Sequence, residues 1–382
     1  MIGIGLLGYG TVGQAFAELL NQQTRIPAQI KVALVRSLER RRQGPRIPLT
    51  LTPEDVITRS DIDVVVDVMG GQEPARDWII RAMRNGKSVI SANKEVMAKH
   101  GPELLQMASR HGVFLAYEAA VGGGVPLLDP LRTHFTGAPV SRFVGILNGT
   151  TNYILSRLEA GDDFAEALRE AQAAGYAEAD PTNDLDGTDI ARKLALVYGV
   201  LFGPPQGFER IPKRGLDDAL SMVVRRVQPW GWRVKVLALA NRDGGMQISP
   251  TLVPKNHHLA RVDGVTNAVG LEVADQWFWL EGPGAGGPAT SLSLLADLYR
   301  GFESGFQASR LPTLPERRVE PLVMPWLAFA LDRDRYVEAG RFPDGSRSYG
   351  DYWITPALPQ IQVDRWLVEN PGLLAYPVLL DA

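Results

Sequence analysis

The chain has no cysteine. That excludes disulfides, thiolate metal sites and a cysteine nucleophile, and with them the dehydrogenases that acylate through a thioester. An excess of positive charge is also missing. The formal net charge is −3 at pH 7, which argues against a nucleic-acid partner, because such a partner needs a basic face. No apolar run reaches the length that spans a bilayer, so no membrane partner is expected. The opening MIGIGLLGYG is apolar but carries no basic stretch, so it reads as a strand rather than a signal peptide, and a cytoplasmic location is the default expectation. The five histidines (His100, His111, His134, His257, His258) form no cluster and are read as structural or exposed. Lysine is scarce: eight of the forty cationic residues are lysine and the rest arginine. Arginine keeps its proton near neutral pH, whereas lysine gives it up when its site lowers its pKa. Lysines inside polar clusters are therefore the places to look for proton transfer.

With 382 residues, 22% of them charged and 45% hydrophobic, the composition is that of an ordinary globular protein of two or three domains. Ile2 to Leu7 reads as a buried strand. It is followed by GYGTVG, with Gly8, Gly10, Thr11, Val12 and Gly13, and then by the helical pattern QAFAELLNQQ. A G-x-G-x-x-G between strand and helix lets backbone N–H groups approach a pyrophosphate at the helix N-terminus. The second strand, IKVALVRS, ends in Arg36-Ser37 and leads to Arg40, Arg41 and Arg42, where NAD-preferring sites carry an acidic residue. A cation there neutralises a 2′-phosphate, so NADP is the expected cofactor, with NAD as the alternative. DVVVDVM is a third buried strand, and Gly70-Gly71 at its end leaves room for a cofactor. A helix is expected from about Pro74 to Asn85. KSVISANKEVMA then gives strand, loop and helix, which puts Asn93-Lys94 at the carboxyl edge of the sheet. A further helix, Glu103 to Arg110, and the strand VFLAYEAAV complete the pattern. Such strand–helix alternation means a doubly wound parallel sheet. Glu118 ends the last strand and precedes AAVGGGVP, whose glycines free several carbonyls. Carbonyls and a carboxylate suit a hard cation, and the same run also suits a hinge between domains.

The densest polar stretch is GYAEADPTNDLDGTDIARK, from Gly175 to Lys193. Asp189 begins a helix that LALVYGVLF continues, so Asp189 and Lys193, four apart, share a face. Gly175, Pro181 and Gly187 keep Glu178 and Asp184 on a bent loop that folds over this helix end. Carboxylates then converge on one lysine, an arrangement suited to a small substrate with an amine and a hydroxyl. The same residue types also fit a solvated acidic loop followed by an exposed helix pair. Further on, Phe164 to Ala174 and Leu216 to Arg226 read as helices. WRVKVLALANRDGG, MQISPTLVP and NAVGLEVADQWFWLEG read as strands of a mixed or antiparallel sheet covered by helices.

EAAVGGGVP, GILNGTTNYIL (Gly145 to Leu155) and GYAEADPTNDLDGTDIARK occur in that order. With Asn93-Lys94, PTLVPKNHHLARVDGVTNAV and GPGAGGPATS, they closely resemble homoserine dehydrogenase over roughly residues 1 to 302. The resemblance implies oxidation of L-homoserine to L-aspartate 4-semialdehyde with NAD(P), and the reverse reduction, in threonine and methionine biosynthesis. It implies Lys193 as the acid/base lysine at the substrate hydroxyl, with Asp189 holding substrate and lysine. Glu178 and Asp184 would bind the amine, and Lys94 would be a second lysine between nicotinamide and substrate. Thr150 and Gly175 would touch substrate or cofactor, and Gly286 would return to the cofactor. A monovalent cation such as sodium would rest on Glu118 and the carbonyls of Val121, Gly123 and Val125. The expected fold is α/β: a doubly wound Rossmann sheet in 1–122, completed by about 283–302, and an α+β substrate and dimerisation domain with a mixed sheet in 123–282. The resemblance implies a homodimer built on that second sheet. Trp277, Phe278 and Trp279 suit either such a contact or the core. From about Phe302 the resemblance fades, and 303–382 is an extension of unassigned role without the pattern of the regulatory ACT domain. Lys94 and Lys193 are expected to meet, one from each lobe. Two other readings share the scaffold: a dehydrogenase of another small hydroxy or amino acid, and a catalytically silent NADP-binding sensor.

Overall fold

The computed structural model describes residues 1–309, 314–330, 342–370 and 372–380. The chain divides into two compact units. One comprises Met1–Gly137, Arg192–Pro204 and Gly282–Glu316; the other comprises Ala138–Ala191, Pro205–Glu281 and Arg317–Ala382.

The first unit begins with β1 (Ile2–Leu7), α1 (Thr11–Gln22), β2 (Ala28–Leu34), β3 (Leu49–Thr50), α2 (Glu54–Ile57) and β4 (Val64–Asp67). It continues with α3 (Ala75–Arg84), β5 (Ser88–Ser91), α4 (Lys94–His111), β6 (Leu115–Ala116) and α5 (Leu128–Thr133). The strands form one sheet in the order β3-β2-β1-β4-β5-β6, parallel at every pair. The order reverses between β1 and β4, and ligands bind outside the carboxyl ends of the strands at such a switch point. β4 and β5 are buried at every position, as expected where helices cover both faces. The core gathers Ile4, Leu6, Val64 and Val66 of the sheet with Phe16 and Leu20 of α1 and with Leu294 and Leu298.

Three local readings differ from the sequence pattern. The two helices expected after Asn93 are one helix, α4, with Pro102 inside it. Proline removes one i→i−4 bond, and Gly101 before it carries no side chain to crowd the ring. The last strand is only Leu115–Ala116, and Glu118 starts a 3₁₀ turn instead of ending the strand. β3, a two-residue edge, gave no periodic signal.

The second unit opens with β7 (Val140–Ile146), α6 (Gly149–Ala160), α7 (Phe164–Ala173) and α8 (Thr182–Leu185). α9 (Thr188–Leu201) starts in the second unit and finishes in the first. Next come α10 (Ala219–Val227), β8 (Trp232–Asn241), β9 (Gly245–Pro254), β10 (Thr266–Val273) and β11 (Gln276–Pro283). α11 (Gly287–Glu303) belongs to the first unit. Then follow β12 (Glu320–Pro321), β13 (Val323–Met324), β14 (Trp326–Ala330), β15 (Arg347–Ser348), β16 (Trp353–Ile354), β17 (Leu358–Pro359), α12 (Gln360–Glu369) and β18 (Leu373–Pro377).

The main sheet of the second unit runs β11-β10-β7-β8-β9-β12. It is antiparallel at β10–β7, β7–β8 and β8–β9 and parallel at β9–β12, hence mixed. NAVGLEVADQWFWLEG is two strands, with Ala274 and Asp275 turning between them at φ of 48° and 61°. The C-terminal extension adds a four-stranded antiparallel sheet, β15-β16-β14-β18, with its own core of Trp326, Ala328, Phe342, Val363 and Ala375. By compactness 123–137, 192–204 and the start of the extension up to Glu316 group with the dinucleotide unit, and the extension from Arg317 on groups with the second unit. Among the described residues no helix is long and apolar enough to cross a membrane.

Candidate active site

The glycine turn lies at the switch point of the first unit. Gly8 has φ +105°, and a Cβ there would press on the Val68 carbonyl at 3.2 Å, so only glycine makes this turn without strain. Gly13 lies under the same turn, where a Cβ would meet the Gly8 carbonyl at 2.9 Å. A Cβ on Gly10 would meet nothing within 4 Å. Gly10 caps α1 with no side-chain hydrogen bond, and Thr11 is exposed at the start of the helix while Val12 is half-buried. The first N–H groups of α1 thus face outward uncapped, which fits an anionic pyrophosphate. Gly70, past β4, is also open. At Gly287, beside Gly286, a Cβ would meet the Thr11 carbonyl at 3.1 Å, so the α11 N-terminus lies against the first turn of α1.

Arg36 is exposed just beyond the end of β2, and the Leu34 carbonyl accepts from Gly8 N at 3.1 Å. The arginine loop is tied down over α1: Gln14 Oε1 accepts from Gln43 N and Gly44 N at 2.7 and 2.8 Å. Arg42 donates to the Ser37 and Arg40 carbonyls at 2.7 and 2.8 Å, so it shapes the loop.

At the carboxyl ends of β4 and β5 lies a group that the sequence did not single out. Asp67 is fully buried; it accepts from Met69 N at 3.0 Å and from Ser91 Oγ at 2.9 Å. Burial pushes its carboxyl up to about 6, and the Met69, Ser91 and Asn93 hydrogen bonds oppose that. Asn93 caps α4, accepting from Val96 N at 3.2 Å, and donates to the Gly71 carbonyl at 2.8 Å. This network fixes the turn at Gly70 and the first helical residue, Lys94. Glu95 pairs with Arg192 at 3.6 Å, which brings the first turn of α4 beside α9 at the residue before Lys193. Both lysines therefore lie in the first unit, not one in each lobe. Lys193 is buried at 8% exposure, and Asp189, one turn earlier on α9, is buried at 1%. An exposed helix pair on a solvated loop is not what these two residues form.

In the second unit Asn148 is the organising side chain. It caps α6, accepting from Thr151 N at 2.8 Å. Its Nδ2 donates to Asp184 Oδ1 at 2.8 Å and to Asp189 Oδ2 at 2.9 Å. One amide thus holds two carboxylates side by side. The signal for it was present in GILNGTT, since an asparagine before Gly-Thr-Thr is a helix cap. Thr150 is buried, and its hydroxyl donates to the Tyr176 carbonyl at 2.6 Å, anchoring the loop beside Gly175, whose φ is +75°. Glu178 is exposed on that loop, with its carbonyl accepting from Gln172 Nε2 at 3.2 Å.

Glu118 is buried at 2% exposure, and its carboxylate is committed. Oε1 accepts from Leu127 N and Leu128 N at 2.5 and 2.9 Å, and Oε2 accepts from Asp129 N at 2.6 Å, capping α5. The Gly123 carbonyl accepts from Ser293 Oγ at 2.6 Å, and the Val121 carbonyl accepts from Gly123 N. Asp297 accepts from Glu118 N at 2.9 Å; burial, with the Glu118 charge adding, pushes it to about 7 against the pull of Arg300. Among the described residues no group of three or more acidic or histidine side chains could hold a metal ion.

A 3-2-1-4-5-6 sheet with an uncapped helix end at its switch point, Lys94 opening α4 at the carboxyl end of β5, and α9 tied to that helix through Glu95–Arg192 fit a dinucleotide-dependent oxidoreductase. Residues 8–118 match the family model of the homoserine dehydrogenase NAD-binding domain, and residues 126–299 match that of homoserine dehydrogenase. The homoserine dehydrogenase of a Synechocystis strain is 41% identical over 307 residues, 76% of this chain and 71% of that protein. That of Lactococcus lactis is 37% identical over 317 residues, 78% of this chain and 74% of that protein. The crystal structure of a homoserine dehydrogenase from Thiobacillus denitrificans matches with a TM-score of 0.84 at 30% identity, over 99% of this chain and 98% of that one. The chain belongs to the homoserine dehydrogenase family: it is an oxidoreductase of amino-acid biosynthesis that uses a nicotinamide cofactor. The family models stop at residue 299, whereas the structural likeness runs through the C-terminal extension.

Proposed function

We propose that the chain interconverts L-homoserine and L-aspartate 4-semialdehyde with NADP as its preferred cofactor, and that Lys193 is the acid/base. The observation that carries this is the buried Asp189–Lys193 turn of α9, with Asp189 bound through Asn148 to Asp184. A bound nicotinamide takes or supplies the hydride at the substrate's C4. In the oxidation the C4 hydroxyl gives its proton to Lys193 Nζ as that hydride leaves; in the reduction Lys193 returns the proton to the developing alkoxide. Asp189 orients Lys193 and the substrate. Asp184 and Glu178 take the substrate ammonium, which fixes the orientation of C4. Lys94, the first residue of α4 beside the Gly70-Gly71 turn, is the second amine. Thr150 and Gly175 shape the loop that carries Glu178.

Gly8, Gly10, Thr11, Val12 and Gly13 receive the pyrophosphate, with Gly70 and Gly286 at its flanks. Arg36 faces the 2′-phosphate. If a monovalent cation binds beside Glu118, the commitment of that carboxylate to three amides leaves the work to carbonyls, those of Val121, Gly123 and Val125 among them. A neutral carbonyl set suits a singly charged ion. A homodimer formed through the second unit's sheet would use its edge strand β11. There Trp277 and Trp279 stack at 5.4 Å between rings while Phe278 stays 40% exposed.

The test is Lys193→Ala, followed by NADPH absorbance with L-homoserine and by NADPH binding. Turnover falls ~10²–10⁴-fold while cofactor affinity holds; loss of binding with turnover per bound cofactor intact would overturn the role. A silent sensor would show tight NADPH binding and no turnover in the unaltered chain. Arg36→Ala separates the cofactors, with NADP affinity falling and NAD affinity unchanged; equal losses would reject the phosphate contact.

A further inference from the structure

Residues 213–216, between α9 and α10, are sandwiched inside the second unit. On one side it holds α8. Leu216 N donates to the Leu185 carbonyl at 2.8 Å. Gly215 packs so closely on that carbonyl that no Cβ fits. Lys213 Nζ reaches Asp186 Oδ2 at 3.4 Å and the Thr188 hydroxyl. Asp186 in turn accepts from Thr188 N at 2.7 Å. Both the C-terminal end of α8 and the start of α9 are therefore fastened to this strap, and Asp184 lies within α8. On its other side the strap meets the C-terminal extension. The Arg214 guanidinium lies 4.6 Å from the centre of the Tyr376 ring and donates to its hydroxyl at 3.1 Å. Tyr376 is fully buried in β18. β9 is the common floor: Arg214 N donates to the Ile248 carbonyl at 2.8 Å, and Leu379 N donates to the Leu252 carbonyl at 3.0 Å.

We propose that Arg214 and Tyr376 are positioning residues for the dehydrogenase reaction: through them the C-terminal extension holds the 213–216 strap against α8 and sets the Asp184 carboxylate for the substrate amine. The proposal rests on the reading of Asp184 as a substrate ligand. It gives the extension a role in substrate binding that leaves the cofactor site untouched. A cation–π contact together with a hydrogen bond to a buried phenol is directional, so a change at Tyr376 alters where Arg214 sits, and with it the strap.

The experiment measures KM for L-homoserine, KM for NADP and kcat in Tyr376→Phe, Arg214→Ala, Arg214→Lys and Asp184→Asn. Tyr376→Phe keeps the ring and raises the homoserine KM roughly fivefold, the size of one lost hydrogen bond. Arg214→Ala raises it roughly tenfold or more, and Arg214→Lys recovers only part of that, because the planar fork is gone. The NADP KM stays within about twofold, and the combined Arg214→Ala/Tyr376→Phe variant is no worse than Arg214→Ala alone, as for two halves of one contact. Amide exchange in 182–188 speeds up while that of β14 does not. A homoserine KM unchanged in the folded variants, or an equal rise in the NADP KM, overturns the proposal. If Arg214→Ala does not fold, the packing-neutral Tyr376→Phe decides alone. An unchanged homoserine KM in Asp184→Asn refutes the ligand reading itself; a large rise there with none in the strap variants refutes the strap alone.

Discussion

Asp67 shows what single residues cost and what they hold. Its carboxyl is fully buried at the end of β4 and held at about 6, above the ordinary 3.8. Between those pH values the native state keeps a proton that the unfolded chain has released. Stability therefore falls as pH rises through that window, by on the order of 3 kcal/mol, and the penalty is complete above about 6. Asp297 adds a penalty of the same sign, complete above about 7. Asp67→Asn should leave stability close to that of the unaltered chain at pH 4, gain on it as pH rises to about 6, and hold that gain at pH 7, as read by urea unfolding at each pH. A gain of equal size at every pH would reject the desolvation account. Asn148 does the opposite work, since its amide keeps the Asp184 and Asp189 carboxylates together. Asn148→Ala removes a helix cap worth ~1 kcal/mol and sets two like charges against each other, so melting temperature falls and the homoserine KM rises, while the KM for the cofactor holds.

At the level of elements, what the sequence revealed depended on how local the cause was. β1, α1 and the glycine turn were legible because each residue's choice is dictated by its neighbours: a buried run, a forced positive φ, a helix start. The β10–β11 hairpin was not. Its turn is Ala274-Asp275: alanine is disfavoured at positive φ, and the aspartate stands second with no glycine or asparagine beside it, so only a weak turn signal interrupts the run. α4 looked like two helices because proline is a local stop signal, and only packing at Gly101 and along the helix overrides it. Asn93 and Lys94 were legible from their place at a strand end. Asp67 was hidden within an apolar run, where a buried aspartate reads as part of the strand. The hairpin yields a prediction: Ala274→Asn with Asp275→Gly suits the two left-handed positions and relieves backbone strain of about 1 kcal/mol or more. Melting temperature should rise by a few degrees, with kcat and both KM values unchanged; a fall in stability would mean that the native side chains stabilise the turn.

Across the whole chain, the sequence could not show how the units divide, because a continuous helix carries no mark where its contacts change. α9 carries Asp189 in the second unit and Lys193 in the first, where Arg192 pairs with Glu95. The division implies that the two functions are separable. The first unit's core is drawn from residues such as Ile4, Phe16, Val66, Leu294 and Leu298, and Phe306 of the extension, which packs on it, precedes Glu316. The second unit's core includes Met324 and Leu379, with Leu322 packed on it, all from the extension. Removing three such apolar side chains costs about 1.5–3 kcal/mol each, against a typical total stability of 5–15 kcal/mol, and it also strips β12 from β9. A chain ended after Glu316 should therefore lose homoserine turnover while still enhancing NADPH fluorescence on binding, because the glycine turn, the arginine loop and α11 remain packed together. Full turnover in that shortened chain would show that the extension is dispensable to the second unit. Loss of NADPH binding would show that the dinucleotide unit depends on it.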